Sequence, residues 1–92
     1  MIIGSEVEVL PGNFLDGSKV TEVSIPSSVN TIGNYAFRNC TGLTEVAIPD
    51  GVTEISDYLF NGCSNLVDIT IPKGVTSIGI HAFENCSSLP SA

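Results

Sequence analysis

The chain has 92 residues, which limits it to a single small domain. Hydrophobic residues make up 42%, which is too many for a disordered chain. Ten acidic and three basic side chains give a net charge of −7, which argues against nucleic acid or an anionic membrane as the partner, since both are bound through basic surfaces. The longest apolar runs span two or three residues, so no segment is expected to insert into a membrane, and no signal peptide is visible in this chain.

From residue 20 onward the sequence repeats itself with a constant period of 23 residues. Residues 20–26, 43–49 and 66–72 align, and each is followed by the same valine, isoleucine, phenylalanine and cysteine positions. A repeat of this length cannot bury its own apolar stripe, so neighbouring repeats must stack into a solenoid. Residues 20–92 are predicted to contain three full repeats, 20–42, 43–65 and 66–88. Leu89 would then start a fourth repeat.

Residues 1–19 are predicted to form a degenerate N-terminal repeat or a cap. When the 23-residue period is applied to this segment, Val9 aligns with an apolar residue of the next repeat. Glu6, however, aligns with a valine, and Gly17 aligns with a cysteine. Pro11-Gly12 is interpreted as an insertion into the turn of this repeat. The acidic residues of the segment would provide the polar outer surface that a terminal repeat needs.

Each full repeat is predicted to start with a short strand. In residues 43–49, Val46 and Ile48 point to one face of the strand, and Glu45 and Ala47 point to the other. A proline then ends the strand, because it cannot donate a hydrogen bond to a neighbouring strand. After a turn and a second extended segment, the remaining residues are expected to form tight turns or one 3₁₀ turn.

The cysteines Cys40, Cys63 and Cys86 are equally spaced, which indicates one role repeated three times. With His81 as the single histidine and no paired cysteines, a zinc site has too few ligands. Buried thiols that fill apolar space are the favoured interpretation. Reactive thiols are the alternative.

Two aromatic columns follow from the same spacing. One stacks three phenylalanines of successive repeats, Phe37, Phe60 and Phe83. The other contains Tyr35, Tyr58 and His81, either as an exposed contact strip or as side chains partly buried over the phenylalanines.

Two segments, Asn39-Cys40-Thr41 and Asn85-Cys86-Ser87, match the acceptor pattern for N-glycosylation. Both asparagines occupy the same position of the repeat. The repeat therefore accounts for them, and they are expected to hydrogen-bond the backbone of the turn.

The pattern C-x-x-L-x-x-[VI]-x-I-P-x-x-V-x-x-I-x-x-x-A-F-x-x-C, over residues 6–89, resembles the BspA-like class of leucine-rich repeat. Leu59 and Ser56 depart from it. The resemblance implies a β-rich leucine-rich-repeat solenoid, right-handed, with 23-residue coils. It also implies a non-catalytic protein-interaction module, a fragment of a bacterial or protist surface or adhesion protein, located at the cell surface or secreted. No catalytic residue, metal or cofactor is associated with the repeat.

The resemblance further implies that the first strand of each repeat lines the concave face, where a protein partner would bind. The outward residues of the three strands are the candidate partner-binding face: Thr21, Glu22, Ser24, Thr44, Glu45, Ala47, Val67, Asp68 and Thr70. The face contains a column of three carboxylates, which repel one another by about 1 kcal/mol per neighbouring pair in water. Three interpretations remain open: a solvated surface, a contact for a basic protein, or a calcium site, although no Asp-x-Asp-x-Asp-Gly loop supports calcium.

No motif for nucleophilic, metal-dependent or phosphoryl-transfer catalysis is present, so the chain is not expected to be an enzyme. The alternative to a binding module is a structural spacer or assembly repeat. The third full repeat is followed by nothing that resembles a cap. This alternative therefore predicts self-association through uncapped ends, as an end-to-end homodimer.

Overall fold

The computed structural model describes residues 2–89. Within these residues the chain forms six short strands and no helix: β1 (Val9–Leu10), β2 (Thr31–Ile32), β3 (Glu45–Ala47), β4 (Glu54–Ile55), β5 (Asp68–Thr70) and β6 (Ser77–Ile78). β1 pairs with β2, β3 with β5, and β4 with β6, and every pairing is parallel. The chain therefore winds into stacked coils, which confirms the predicted β-rich solenoid. We call the coils first (2–19), second (20–42), third (43–65) and fourth (66–88).

The register between the later coils is the one that the sequence period predicts. Glu45 lies beside Asp68, and Glu54 lies beside Ser77. An isolated parallel bridge between Glu22 and Glu45 extends the same register to the second coil. The strands are short, because a proline follows each first strand and turns follow each second one.

Equivalent residues of the first and second coils are 22 positions apart, whereas those of the later coils are 23 apart. The predicted alignment of residues 1–19 was therefore wrong by one position. β1 pairs Val9 with Thr31 and Leu10 with Ile32. Leu10 is accordingly the core residue, at 1% exposure, whereas Val9 is 54% exposed. Because side chains alternate along a strand, a change of one position exchanges the inward and outward residues.

The same shift restores the repeat pattern through the rest of the first coil. Val7, not Glu6, takes the valine position, and its N–H donates to the carbonyl of Gly4 as the N–H of Val29 donates to that of Pro26. Gly17, which adopts the same left-handed conformation as Asn39, corresponds to that asparagine and not to a cysteine.

Pro11-Gly12 is not an insertion, because the N–H of Asn13 donates to Asn34 in the same pattern as the later coils. Instead the first coil lacks a counterpart of Thr41. The N–H of Ser18 donates to Leu15, as that of Cys40 donates to Phe37 three residues before it. The missing residue therefore lies between positions 18 and 19.

The core is a column of aromatic and aliphatic side chains that runs through all coils. The ring centroids of Phe37 and Phe60 are 5.5 Å apart, and those of Phe60 and Phe83 are 5.7 Å apart, with nearly parallel planes. The predicted phenylalanine column is thereby confirmed. Among the described residues the fully buried side chains are all apolar.

The turns explain the repeated asparagines differently from the prediction. Asn39 and Asn85 have φ values of 57° and 64°, and Gly62 has φ 80° at the equivalent position of the third coil. This left-handed conformation is accessible to glycine and asparagine at low cost. The backbone conformation, and not a side-chain hydrogen bond, accounts for the residue type at this position.

Replacing Phe60 by alanine should destabilise the protein by about 3–5 kcal/mol, because it removes the fully buried middle ring of the column and leaves a cavity. The change is measured by urea denaturation followed by circular dichroism. Phe83 is only partly buried, so Phe83→Ala serves as the matched control and should cost less. Equal losses in the two variants would contradict the role given to the central ring.

Candidate functional site

The structure brings the predicted strand residues together on one exposed surface. Glu45 lies between Glu22 and Asp68 in adjacent coils, so the predicted acidic column is present in the structure. The N–H of Thr44 donates to the carbonyl of Thr21, and that of Val67 donates to Thr44, which aligns the neighbouring column. All nine residues of the candidate face are exposed.

A groove of about 530 Å³ runs along this surface. Six of the nine candidate residues line it, namely Glu22, Ser24, Glu45, Ala47, Asp68 and Thr70. Thr21, Thr44 and Val67 are not among its lining residues. The groove follows the carboxylate column and the column of small side chains beside it, and Val23, Ile25 and Val46 also line it. We call the six candidate residues with Ile2 the acidic groove.

Ile2 lies outside the face that the sequence predicted. Its side chain is 86% exposed, it bridges to Ser24, and it lines the end of the acidic groove. Ile2 and Ser24 are 22 positions apart, so an alignment with a shift of 22 in place of 23 would have placed Ile2 in the column of Ser24. The 23-residue period of the later repeats does not align these two residues.

The chemistry of the acidic groove is that of an acceptor surface. Its three carboxylates accept hydrogen bonds and attract cations, and no histidine, cysteine, lysine or arginine is among the lining residues. Residues 2–89 hold no cluster of three or more histidine, cysteine or acidic side chains suited to a metal ion. Over the same residues, no helix has the length and hydrophobicity needed to cross a bilayer.

A second surface feature is the predicted column of Tyr35, Tyr58 and His81. The two tyrosine rings stack with centroids 5.0 Å apart, and the imidazole follows at 5.1 Å, which confirms the column. The tyrosines are half-buried and the histidine is exposed. All three have positive φ, from 56° to 65°, which is unusual for bulky side chains.

Arg38 covers the outer side of this column. Its guanidinium carbon lies 4.5 Å from the centre of the Tyr35 ring, within the range of a cation–π contact. The same guanidinium donates two hydrogen bonds to Asp16, one through Nε at 3.1 Å and one through Nη2. The hydrogen bond from Arg38 lowers the pKa of Asp16, against the opposing effect of burial, and the bond with Asp16 raises the pKa of Arg38.

The three cysteines occupy equivalent positions and are free thiols. Each Sγ donates to a carbonyl of the preceding coil: Cys40 to Leu15 at 3.2 Å, Cys63 to Phe37 at 3.0 Å, and Cys86 to Phe60 at 3.0 Å. The neighbouring Cys40 thiol and burial raise the pKa of Cys63, and burial raises the pKa of Cys86, whereas the interaction with Cys63 lowers the pKa of Cys40. Cys40 and Cys63 are fully buried and Cys86 is partly buried, which favours the interpretation of the three thiols as space-filling residues.

Parallel coils of nearly constant length around an apolar column define a leucine-rich-repeat solenoid. The chain belongs to the BspA-type leucine-rich repeats, since the family described as a BspA type leucine rich repeat region (6 copies) matches residues 8–92. The predicted family resemblance is thereby confirmed. Repeats of this family generally mediate contacts between proteins, are generally not enzymes, and are generally associated with the bacterial surface.

Two solved structures are similar to the chain. The leucine-rich repeat protein TpLRR of T. pallidum has 35% sequence identity and a TM-score of 0.91, over 97% of this chain and 42% of that protein. A leucine-rich repeat protein of Bacteroides ovatus ATCC 8483 has 36% identity and a TM-score of 0.87, over 95% of this chain and 22% of that protein. The chain thus spans less than half of either one. No curated protein matches it significantly in sequence.

The ion pair of Asp16 makes stability depend on pH. Because the folded state lowers the pKa of Asp16, the stabilisation is complete above the unfolded pKa of about 3.9 and is lost as the pH falls through the lower folded value. Asp16→Asn should therefore be less stable at pH 7 and lose less stability than the wild type between pH 4 and pH 2. Thermal unfolding across this range measures the difference.

Asp50→Asn, at an exposed aspartate of the third coil, is the control and should keep the acid dependence of the wild type. If Asp16→Asn followed the wild-type curve at every pH, the pair with Arg38 would have no effect on stability.

Proposed function

We propose that this chain is a protein-interaction module whose acidic groove binds a basic segment of a partner protein. The observation that carries the proposal is the alignment of Glu22, Glu45 and Asp68 in successive coils along one groove. At the spacing of paired strands, about 4.8 Å, the neighbouring carboxylates of Glu45 and Asp68 repel one another. A cationic partner relieves this repulsion when it binds, so the groove favours lysine- and arginine-bearing ligands.

The charge of the whole chain supports the same choice of partner. A net charge of −7 attracts basic proteins over distances set by the ionic strength and speeds their association. The small side chains of Ser24 and Ala47 occupy little of the groove beside the carboxylates. Long basic side chains can lie there with their charged ends at the acidic column.

The family supports the wider setting of the proposal. We place the module in a surface-exposed bacterial protein that acts in adhesion, because BspA-type repeats are generally surface-associated and generally contact proteins. A non-catalytic role is consistent with the general character of leucine-rich repeats. The groove then supplies the contact, and the stacked coils supply a rigid support for it.

The test replaces the three carboxylates together. Glu22→Ser, Glu45→Ser and Asp68→Ser in one variant should weaken binding of a lysine- and arginine-rich peptide by about tenfold or more, because the charge column is removed from the contact. Isothermal titration calorimetry measures the affinity. Circular dichroism verifies that the variant remains folded.

A matched control carries Glu6→Ser, Glu8→Ser and Glu54→Ser, which changes the net charge equally at exposed positions that do not line the groove. This control should retain most of the affinity. Equal weakening in both variants would show attraction to total charge rather than to the acidic groove, and unchanged binding in the first variant would remove the groove from the proposal.

We propose self-association as a second candidate function, with a second copy of the chain covering the outer face of the fourth coil. Ile78 and Ile80 of this coil are 57% and 62% exposed, whereas Ile55, the counterpart of Ile78, is 1% exposed under the fourth coil. Exposed apolar side chains beside a strand edge are the features through which sheets add further strands.

Self-association predicts a concentration-dependent dimer in sedimentation velocity experiments. Ile78→Lys should weaken it by about tenfold, because a charge at the contact must lose its hydration. Glu54→Lys, an exposed position on the side of the third coil, is the control and should leave the dimer intact. A chain that stays monomeric at high concentration would contradict this candidate without affecting the acidic groove.

A further inference from the structure

We propose that Tyr35 and Tyr58 form a site of oxidative cross-linking, in which one carbon–carbon bond joins the two phenol rings. They are the only tyrosines of the chain, and their ring centroids lie 5.0 Å apart with 22° between the planes. Because they occupy the same position of successive coils and stack with nearly parallel planes, we expect equivalent edges of the two rings to lie on the same side. The carbons beside the hydroxyl groups carry much of the unpaired electron of a tyrosyl radical, and the proposed bond joins one such carbon of each ring.

The surroundings hold the two rings in this arrangement. The guanidinium of Arg38 lies over the free side of Tyr35 and is itself fixed by Asp16. The imidazole of His81 lies on the free side of Tyr58, with ring centroids 5.1 Å apart. The tyrosine pair is thus enclosed from both ends, and both tyrosines remain partly exposed to solvent.

The turn itself does not require aromatic residues at these positions. Asn13 has φ 62° at the equivalent place in the first coil, close to the 65° of Tyr35 and the 60° of Tyr58. Asparagine adopts this left-handed conformation more readily than a bulky residue. The aromatic stack is therefore what the tyrosines add to the turn, and the stack is what makes coupling between them possible.

The reaction needs a peroxide as oxidant and a haem peroxidase to activate it. Each phenol loses one electron and one proton from its hydroxyl group, and the two hydrogen equivalents reduce one hydrogen peroxide to two waters. The two phenoxyl radicals form a bond between their ortho carbons. The hydrogens on those carbons then move to the oxygens, which restores two phenols joined as dityrosine.

The cross-link would tie the second coil covalently to the third. A covalent bond between residues 35 and 58 restricts the unfolded chain, as a disulfide closing a loop of that length does. It should raise the midpoint of thermal unfolding by about 10 °C. Neither the acidic groove nor the outer face of the fourth coil takes part, so this site is independent of both proposed functions.

The test treats dilute protein with hydrogen peroxide and a haem peroxidase. Dityrosine fluorescence should appear at the same yield per chain over a tenfold range of protein concentration. After proteolysis, mass spectrometry should find the peptides that contain residues 35 and 58 joined with the loss of two hydrogens. Tyr35→Phe and Tyr58→Phe, which preserve a ring in the stack, should each abolish the fluorescence, the joined peptide and the rise in thermal stability.

Three results would overturn the proposal. The first is fluorescence that rises with protein concentration together with dimers on a denaturing gel, since the bond would then join separate chains. The second is a joined peptide that contains Tyr58 and His81 in place of the two tyrosines. The third is oxidation confined to cysteines, seen as a gain of oxygen without any joined peptide.

Discussion

Every surface of this protein depends on the register in which one coil lies on the next. Main-chain N–H groups of each coil donate to carbonyls of a neighbouring coil, as Tyr35 does to Asp57 and Tyr58 does to Ile80. These bonds bring equivalent residues into columns, and burial of the phenylalanine column makes the arrangement favourable. The carboxylates of the acidic groove and the stacked tyrosines are consequences of the same register.

Most of the fold could be predicted from the sequence, because three repeats share an identical period. The inward positions of those repeats, including Phe37 and Phe60, follow directly from it. The first coil could not be aligned in the same way, since one residue is absent between positions 18 and 19. A period measured on the later repeats therefore gave Val9 the place that Leu10 occupies.

The candidate site was predictable to a similar extent. The order of Glu22, Glu45 and Asp68 in one column required only the period, whereas the place of Ile2 in the groove depends on the different register of the first coil. The contact of Arg38 with Tyr35 and Asp16 was not predictable. The contact depends on the left-handed turn at Tyr35 and on the register of the first coil, which places Asp16 beside Arg38. Neither feature is visible in the sequence pattern.

The shortened corner of the first coil shows where this architecture tolerates a change of length. The loss of a counterpart to Thr41 leaves the hydrogen bonds on both sides intact: Gly17 still donates to Arg38, and Thr44 still donates to Thr21. The bend that precedes the first strand of the second coil therefore accommodates the change of length. Insertions and deletions in arrays of this kind should accumulate at that bend, which is also the natural place to graft a foreign loop.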